Sequence, residues 1–203
     1  RDTDRSRGLG DVYKRQTTLE NEGYNLSTLV MGTQTGTHVD APYHFSNSGE
    51  TIDNMELDFF LGEAVVVRVT DKKADEAITL EDIEPYKEEI CEGKIVLFNT
   101  NWYKTRGTDE FFHHPYVNGD VAKYLVDNGV RFIGIDTINA DQTGGTEFPV
   151  HDLFSEKRLM IGENWAFFDQ IDFERPYIIA LPMKLIGCDG SPVRAIAVQW
   201  EEE

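Results

Sequence analysis

The feature that most restricts the fold is a set of short, apolar, β-branched runs separated by helix-initiation signals. "GEAVVVRVTD" (62–71), "KIVLFNT" (94–100) and "VRFIGID" (130–136) are too short for buried helices and too apolar for surface loops, so they read as buried strands. Thr79 opens "TLEDIEPYKEEI" with Asp82 three residues on, the spacing of a capping box. Asn118 can cap "GDVAKYLVDNG", where Val121, Leu125 and Val126 form one apolar face and Gly129 suits the C-terminal turn. "YNLSTLVMGTQ" (24–34) reads as a further strand, and "YIIALPM" and "VRAIAVQW" as two more around a "CDGSP" turn. Strands outnumber helices, which predicts a mixed α/β domain with a central sheet.

The 203 residues suit one domain with a substantial core, and twelve Phe, eight Tyr and three Trp exclude an intrinsically disordered chain. A formal charge of −18 argues against phosphate-backbone and anionic-membrane partners, which need Lys and Arg clusters. No apolar run approaches the roughly eighteen residues of a membrane span. Cys91 and Cys188 lie far apart, forming neither a close-spaced ligand pair nor a disulfide framework, so a reducing, cytoplasmic setting is expected. The first sixteen residues, "RDTDRSRGLGDVYKRQ", differ from the rest: they carry net +2, with no apolar stripe or strand alternation. They resemble translated adaptor sequence, so residues 1–16 are expected to stand outside a domain of residues 17–203.

"TQTGTHVDAPYHF" (33–45) holds the chemistry. Gln34, Gly36, His38 and Asp40 alternate at period two, so in an extended segment their side chains leave one face. Pro42 bends the chain and lets His44 return toward the same place. Imidazole nitrogen and carboxylate oxygen are the ligands of divalent ions such as zinc and manganese. A lone H-x-D also occurs as solvated or hydrogen-bonded structure. A second cluster, "VHDLFSEKRLMIGENW", places His151 and Glu163 between apolar flanks, where an unpaired carboxylate carries a heavy desolvation cost. A cation can meet that cost, and so can a Lys, an Arg or a turn cap. His113 and His114 precede Pro115 in a loop and read as surface residues.

"QTGTHVDAPYHF" resembles the H-x-G-T-H-x-D-x-P-x-H-F signature of the cyclase family of metal-dependent hydrolases, which includes bacterial kynurenine formamidases. The match runs unbroken from Gly36 to Phe45, and "TIDNMELDFFLGEAVVV", "HPYV", "GVRFIGIDT", "VHDLF…IGEN" and "DGSPVRAIA" follow in family order. The resemblance implies a swivelling β/β/α fold, assembled as a homodimer or homotetramer. It implies that His38 and Asp40 hold one divalent ion, zinc or manganese, that Asp40 bridges to a second held by His151 and Glu163, and that His44 is the general acid/base. Gln34 stands where the family has its first ligand histidine; its carbonyl oxygen can bind a metal but favours harder ions. By the same resemblance, the family's amino-terminal strand is expected to be absent from this sequence. The activity implied is hydrolysis of an amide, lactam or ester bond of a small molecule, such as an aryl formamide, by metal-activated water. The alternative, suggested by Gln34, is a catalytically impaired metal- or small-molecule-binding member.

Overall fold

The computed structural model describes residues 13–200. Its strands are β1 (Tyr13–Thr17), β2 (Leu26–Val30), β3 (His38–Asp40), β4 (Leu61–Arg68), β5 (Ala77–Ile78), β6 (Ile95–Asn99), β7 (Tyr116–Val117), β8 (Phe132–Ile135), β9 (Met160–Glu163), β10 (Tyr177–Ile179), β11 (Gly190–Pro192) and β12 (Ile196–Val198). The helices are α1 (Leu19–Glu22), α2 (Leu80–Ile83), α3 (Gly119–Asp127) and α4 (Pro149–Glu156).

Eight strands form one mixed sheet in the order β11-β3-β9-β8-β6-β4-β10-β12. The central four, β4, β6, β8 and β9, run parallel, and the outer pairs are antiparallel. Both faces of the parallel strands are covered, which is why they show almost no polar alternation. Along β6, Val96 and Phe98 face a core shared with Val121 and Leu125 of α3 and Val150 and Phe154 of α4. Ile95 and Leu97 face the other core, with Phe60, Phe132, Met160 and Trp165.

The sheet must curl. Pro192 in one edge strand and Ile196 in the other are separated by three residues, which reach about 14 Å at full extension. Eight strands laid flat would put those edges about 34 Å apart. The second core therefore lines the inside of the curl, and α3 and α4 cover the outside.

Helix starts follow the local chemistry. Asp82 accepts hydrogen bonds from Thr79 N (2.6 Å) and Thr79 Oγ1 (2.9 Å), completing the expected capping box, and Asn118 Oδ1 accepts from Asp120 N at the head of α3.

One detail differs from the expectations. The "CDGSP" turn is not only a turn: Gly190–Pro192 pair with β3 as an edge strand, because backbone pairing needs no strand-forming side chains. Of the segment set apart at the amino terminus, residues 1–12 lie outside the described residues, and Tyr13–Gln16 enter β1, which pairs antiparallel with β2. Among the described residues no helix is long and apolar enough to cross a membrane.

Candidate metal centre

The centre forms where β3 meets β9. His38 lies directly across from Glu163 in the register, and Val39 across from Gly162. Val39 points into the curl, so the alternation of the pleat sends His38 and Asp40 to the outer face, beneath α4. There α4 supplies His151 from its first turn. His38, Asp40, His151 and Glu163 are all buried.

Each imidazole is aimed through its Nδ1. His38 Nδ1 bonds the Gly36 carbonyl at 2.7 Å, in a turn where Gly36 takes φ +67°, a conformation glycine adopts without strain. His151 Nδ1 bonds Asp141 Oδ2 at 2.7 Å, and both Asp141 oxygens also accept backbone N–H groups from the start of α4. Both Nε2 atoms then face the carboxylates. His38 Nε2 lies 3.5 Å from Asp40 Oδ1 and 3.5 Å from Glu163 Oε2. His151 Nε2 lies 3.1 Å from Glu163 Oε1 and 3.6 Å from Asp40 Oδ2. Glu163 Oε1 is further fixed by Ala140 N at 2.7 Å.

These separations fit a cation better than a protein-only network. Ligands about 2.0–2.1 Å from a tetrahedral ion lie roughly 3.4 Å from one another, while most of the Nε2–oxygen gaps exceed good hydrogen-bond length. Both Asp40 oxygens are buried and take no hydrogen bond, as is Gln34 Oε1. Buried carboxylate oxygens left this way are costly unless a cation satisfies them. Asp40 belongs to two groups of ligand-capable residues, one with His38 and Glu163 and one with His44 and His151.

The titration of the cluster reports the same field. Burial disfavours charge on His38, but Asp40 and Glu163 outweigh it and push the imidazole up to about 9. His151 is likewise raised well above its ordinary value despite complete burial, chiefly by Glu163 and then Asp141. Burial works against the Glu163 carboxylate too, yet His151 and His38 hold it well below the usual range. Protons and a cation would compete for one negative well.

Gln34 and His44 stand at the rim. Gln34 Nε2 donates to Asp189 Oδ2 at 3.1 Å, while its Oε1 stays buried. His44 sits on a 3-10 turn (Pro42–His44), with Nδ1 2.9 Å from Asp189 Oδ2 and its ring centroid 6.0 Å from that of His151. A cavity of about 400 Å³ opens here, lined by Gln34, His38, His44, Thr143, Phe148 and Glu163. Glu163 has no Lys or Arg partner among the described residues; its neighbours are the two histidines.

The remaining histidines separate. His113 is exposed beside Asp75, as a surface residue should be. His114 is not at the surface: it is buried, with Nδ1 on the Pro115 carbonyl at 2.7 Å and Nε2 on Thr143 Oγ1 at 2.8 Å. The loop preceding Pro115 folds inward because both ring nitrogens find partners there. Asp141 and Asp189 were missed at the sequence level. Asp141 lies ten residues before the histidine it orients, and Asp189 is hidden in a turn-like "CDGSP".

The sequence matches the family profile "Putative cyclase" over residues 7–142. The chain belongs to the cyclase family. Among curated proteins, the kynurenine formamidase of Bacillus mycoides (strain KBAB4) is 30% identical over 185 residues, covering 91% of this chain and 85% of that protein. The kynurenine formamidase of Bacillus cereus (strain ATCC 14579) is 31% identical over 180 residues, covering 87% and 81%. Among solved structures, a predicted metal-dependent hydrolase from Bacillus stearothermophilus superposes with a TM-score of 0.77 at 28% identity, covering 93% of this chain and 87% of that one. Isatin hydrolase A from Labrenzia aggregata, bound to benzyl benzoate, gives 0.84 at 24% identity over 92% and 82%, and shows the shared cyclase fold.

Proposed function

We propose that this cyclase-family chain is a metal-dependent hydrolase that cleaves an amide, lactam or ester bond of a small molecule, with aryl formamides of the kynurenine type as the first substrate class to test. The observation that carries the reading is the convergence of two imidazoles and two carboxylates around buried Asp40 oxygens that take no hydrogen bond. Kynurenine formamidase relatives at about 30% identity support the amide chemistry.

His38, Asp40, His151 and Glu163 would hold one or two divalent ions, zinc or manganese. Gln34 Oε1 is a further oxygen donor that tilts the choice toward manganese. Such an ion supplies Lewis acidity at the scissile carbonyl and a water of lowered pKa. His44, at the cavity rim, takes a proton from the attacking water and returns it to the leaving nitrogen or oxygen. Thr143 and Phe148 border the space left for the substrate. Self-association into a dimer or tetramer belongs to the proposal, since the β1–β2 hairpin exposes Leu26, Leu29 and Val30. So does a cytoplasmic setting, in keeping with two unpaired thiols.

The test combines metal analysis with hydrolysis of N-formyl aryl amines, isatin-type lactams and lactones in the presence of Zn²⁺ or Mn²⁺. The His44→Ala variant should keep its metal and lose about 10²–10⁴-fold in turnover. Loss of metal would instead make His44 a ligand. Hydrolysis by Gln34→His but not by the unaltered protein would establish an impaired, binding-only member.

A further inference from the structure

Asp189 is held more firmly than a surface ion pair requires. Its Oδ1 accepts from Thr33 Oγ1 at 2.7 Å, and its Oδ2 accepts from Gln34 Nε2 at 3.1 Å while facing His44 Nδ1 at 2.9 Å. Its backbone carbonyl accepts from Ala41 N at 2.9 Å, and its neighbours on both sides are anchored. Cys188 O accepts from Ile52 N, and Gly190 begins the edge strand on β3. A Cβ at Gly190 would lie 2.6 Å from Val39 O and 2.7 Å from Gln34 Nε2, so only glycine lets this strand approach. The carboxylate and His44 are 145 residues apart, so the fold alone brings them together.

We propose that Asp189 is the positioning residue of His44: it accepts the Nδ1 proton, fixes the ring plane, and leaves Nε2 as the atom that exchanges protons in the cavity. Gln34 braces the same carboxylate oxygen. Its place in this chain is thus in the hydrogen-bond frame of His44 as well as beside the metal centre. The proposal rests on the hydrolase reading above. In that reaction the water oxygen bonds to the carbonyl carbon and one water proton passes to His44 Nε2. The carbon–nitrogen bond then breaks with its electron pair going to nitrogen, which receives the proton from Nε2. Throughout, Asp189 keeps its negative charge and stays hydrogen-bonded to the Nδ1–H of the imidazolium.

The experiment compares the metal-loaded protein with Asp189→Ala, Asp189→Asn, His44→Ala and the double variant His44→Ala/Asp189→Ala. Asp189→Ala should keep its metal content and KM while kcat falls about 10²-fold, within the 10²–10⁴ that an imidazole acid/base supplies. Asp189→Asn, which retains an acceptor oxygen, should recover part of that loss. In the His44→Ala background, removing Asp189 should cost less than a further twofold, because both act through one group. Independently of turnover, the ¹⁵N spectrum of the zinc-loaded protein should show His44 as the Nδ1–H tautomer, lost in Asp189→Ala. A wild-type kcat in Asp189→Ala, an additive loss in the double variant, loss of metal, or an unchanged tautomer would each overturn the proposal. If the unaltered protein hydrolyses nothing in the panel, the hydrolase reading fails, while the tautomer still decides whether Asp189 holds the ring.

Discussion

Gly162→Ala is the substitution whose cost can be worked most directly from this structure. Gly162 lies in β9 beside the curl, where the Trp165 indole packs against it, with Gly134 paired alongside in β8. A methyl group at position 162 would sit 2.7 Å from Trp165 Nε1 and 2.8 Å from Cε2 and Cζ2. The indole has little room to retreat, being edge-packed on Phe132 at 5.7 Å between centroids and tilted on Phe168 at 5.9 Å. Overpacking of this kind costs about 1–3 kcal/mol. Displacing the ring also breaks the bond from Trp165 Nε1 to the His38 carbonyl at 2.9 Å, a further ~1 kcal/mol. The sum, about 2–4 kcal/mol, corresponds to a fall in Tm of roughly 5–15 °C for a domain of this size. Thermal melts should be made on metal-stripped protein, followed by titration with Zn²⁺, whose affinity should weaken as His38 loses its backbone anchor. In a Trp165→Phe background the crowding atoms are gone, so the same methyl should cost about 1 kcal/mol less. A Gly162→Ala protein that melts within 2 °C of the parent with unchanged indole emission would refute this account of the packing.

Two other predictions follow the same logic at different sites. Asp141→Asn weakens the acceptor that orients His151 and should lower divalent-ion affinity about 10–100-fold, read by competition with a chromophoric chelator, while leaving the fold intact. At Asp82, burial opposes the carboxylate, but Lys72 and the Thr79 donors outweigh it and hold the folded pKa below its ordinary value. Its contribution is therefore complete above the unfolded value of ~3.9 and lost as pH falls through the depressed folded value. Melts of Asp82→Asn should accordingly show a shallower acid-side loss of Tm than those of the parent, and an identical slope would count against the capping role.

What could be read from the sequence was whatever depends on local pattern. "KIVLFNT" and "VRFIGID" show as strands because burial on both faces removes polar residues from the run, and Thr79–Asp82 shows as a cap because its geometry spans three residues. His38 and Asp40 could be assigned to one face from the two-residue period alone, and β3 places them so. Other features depend on which distant segments meet. Gly190–Pro192 has the composition of a turn and becomes a strand only through the backbone of β3. His114 gives no sign of burial, since its partners are a carbonyl and a threonine 29 residues away. Asp189 cannot be linked to His44 by any spacing rule. Glu163 lies between these cases: its apolar flanks signalled a need for partners, but only the register of β3 against β9 identifies His38 as one of them.

The short strand β3 has a consequence for how the protein comes into being. Residues 38–40 are hydrogen-bonded on one side to residues 161–163 and on the other to 190–192. At a synthesis rate of roughly 5–20 residues per second, about 8–30 s pass between the emergence of the motif and that of its second flanking strand. Throughout that interval His38 and Asp40 lack the neighbours that give the cavity its shape, and the nascent chain offers only scattered donors. An ion that stays must therefore be chosen once residues 161–163 and 190–192 have paired with β3, so selection of the metal falls to the folded chain rather than to the motif by itself.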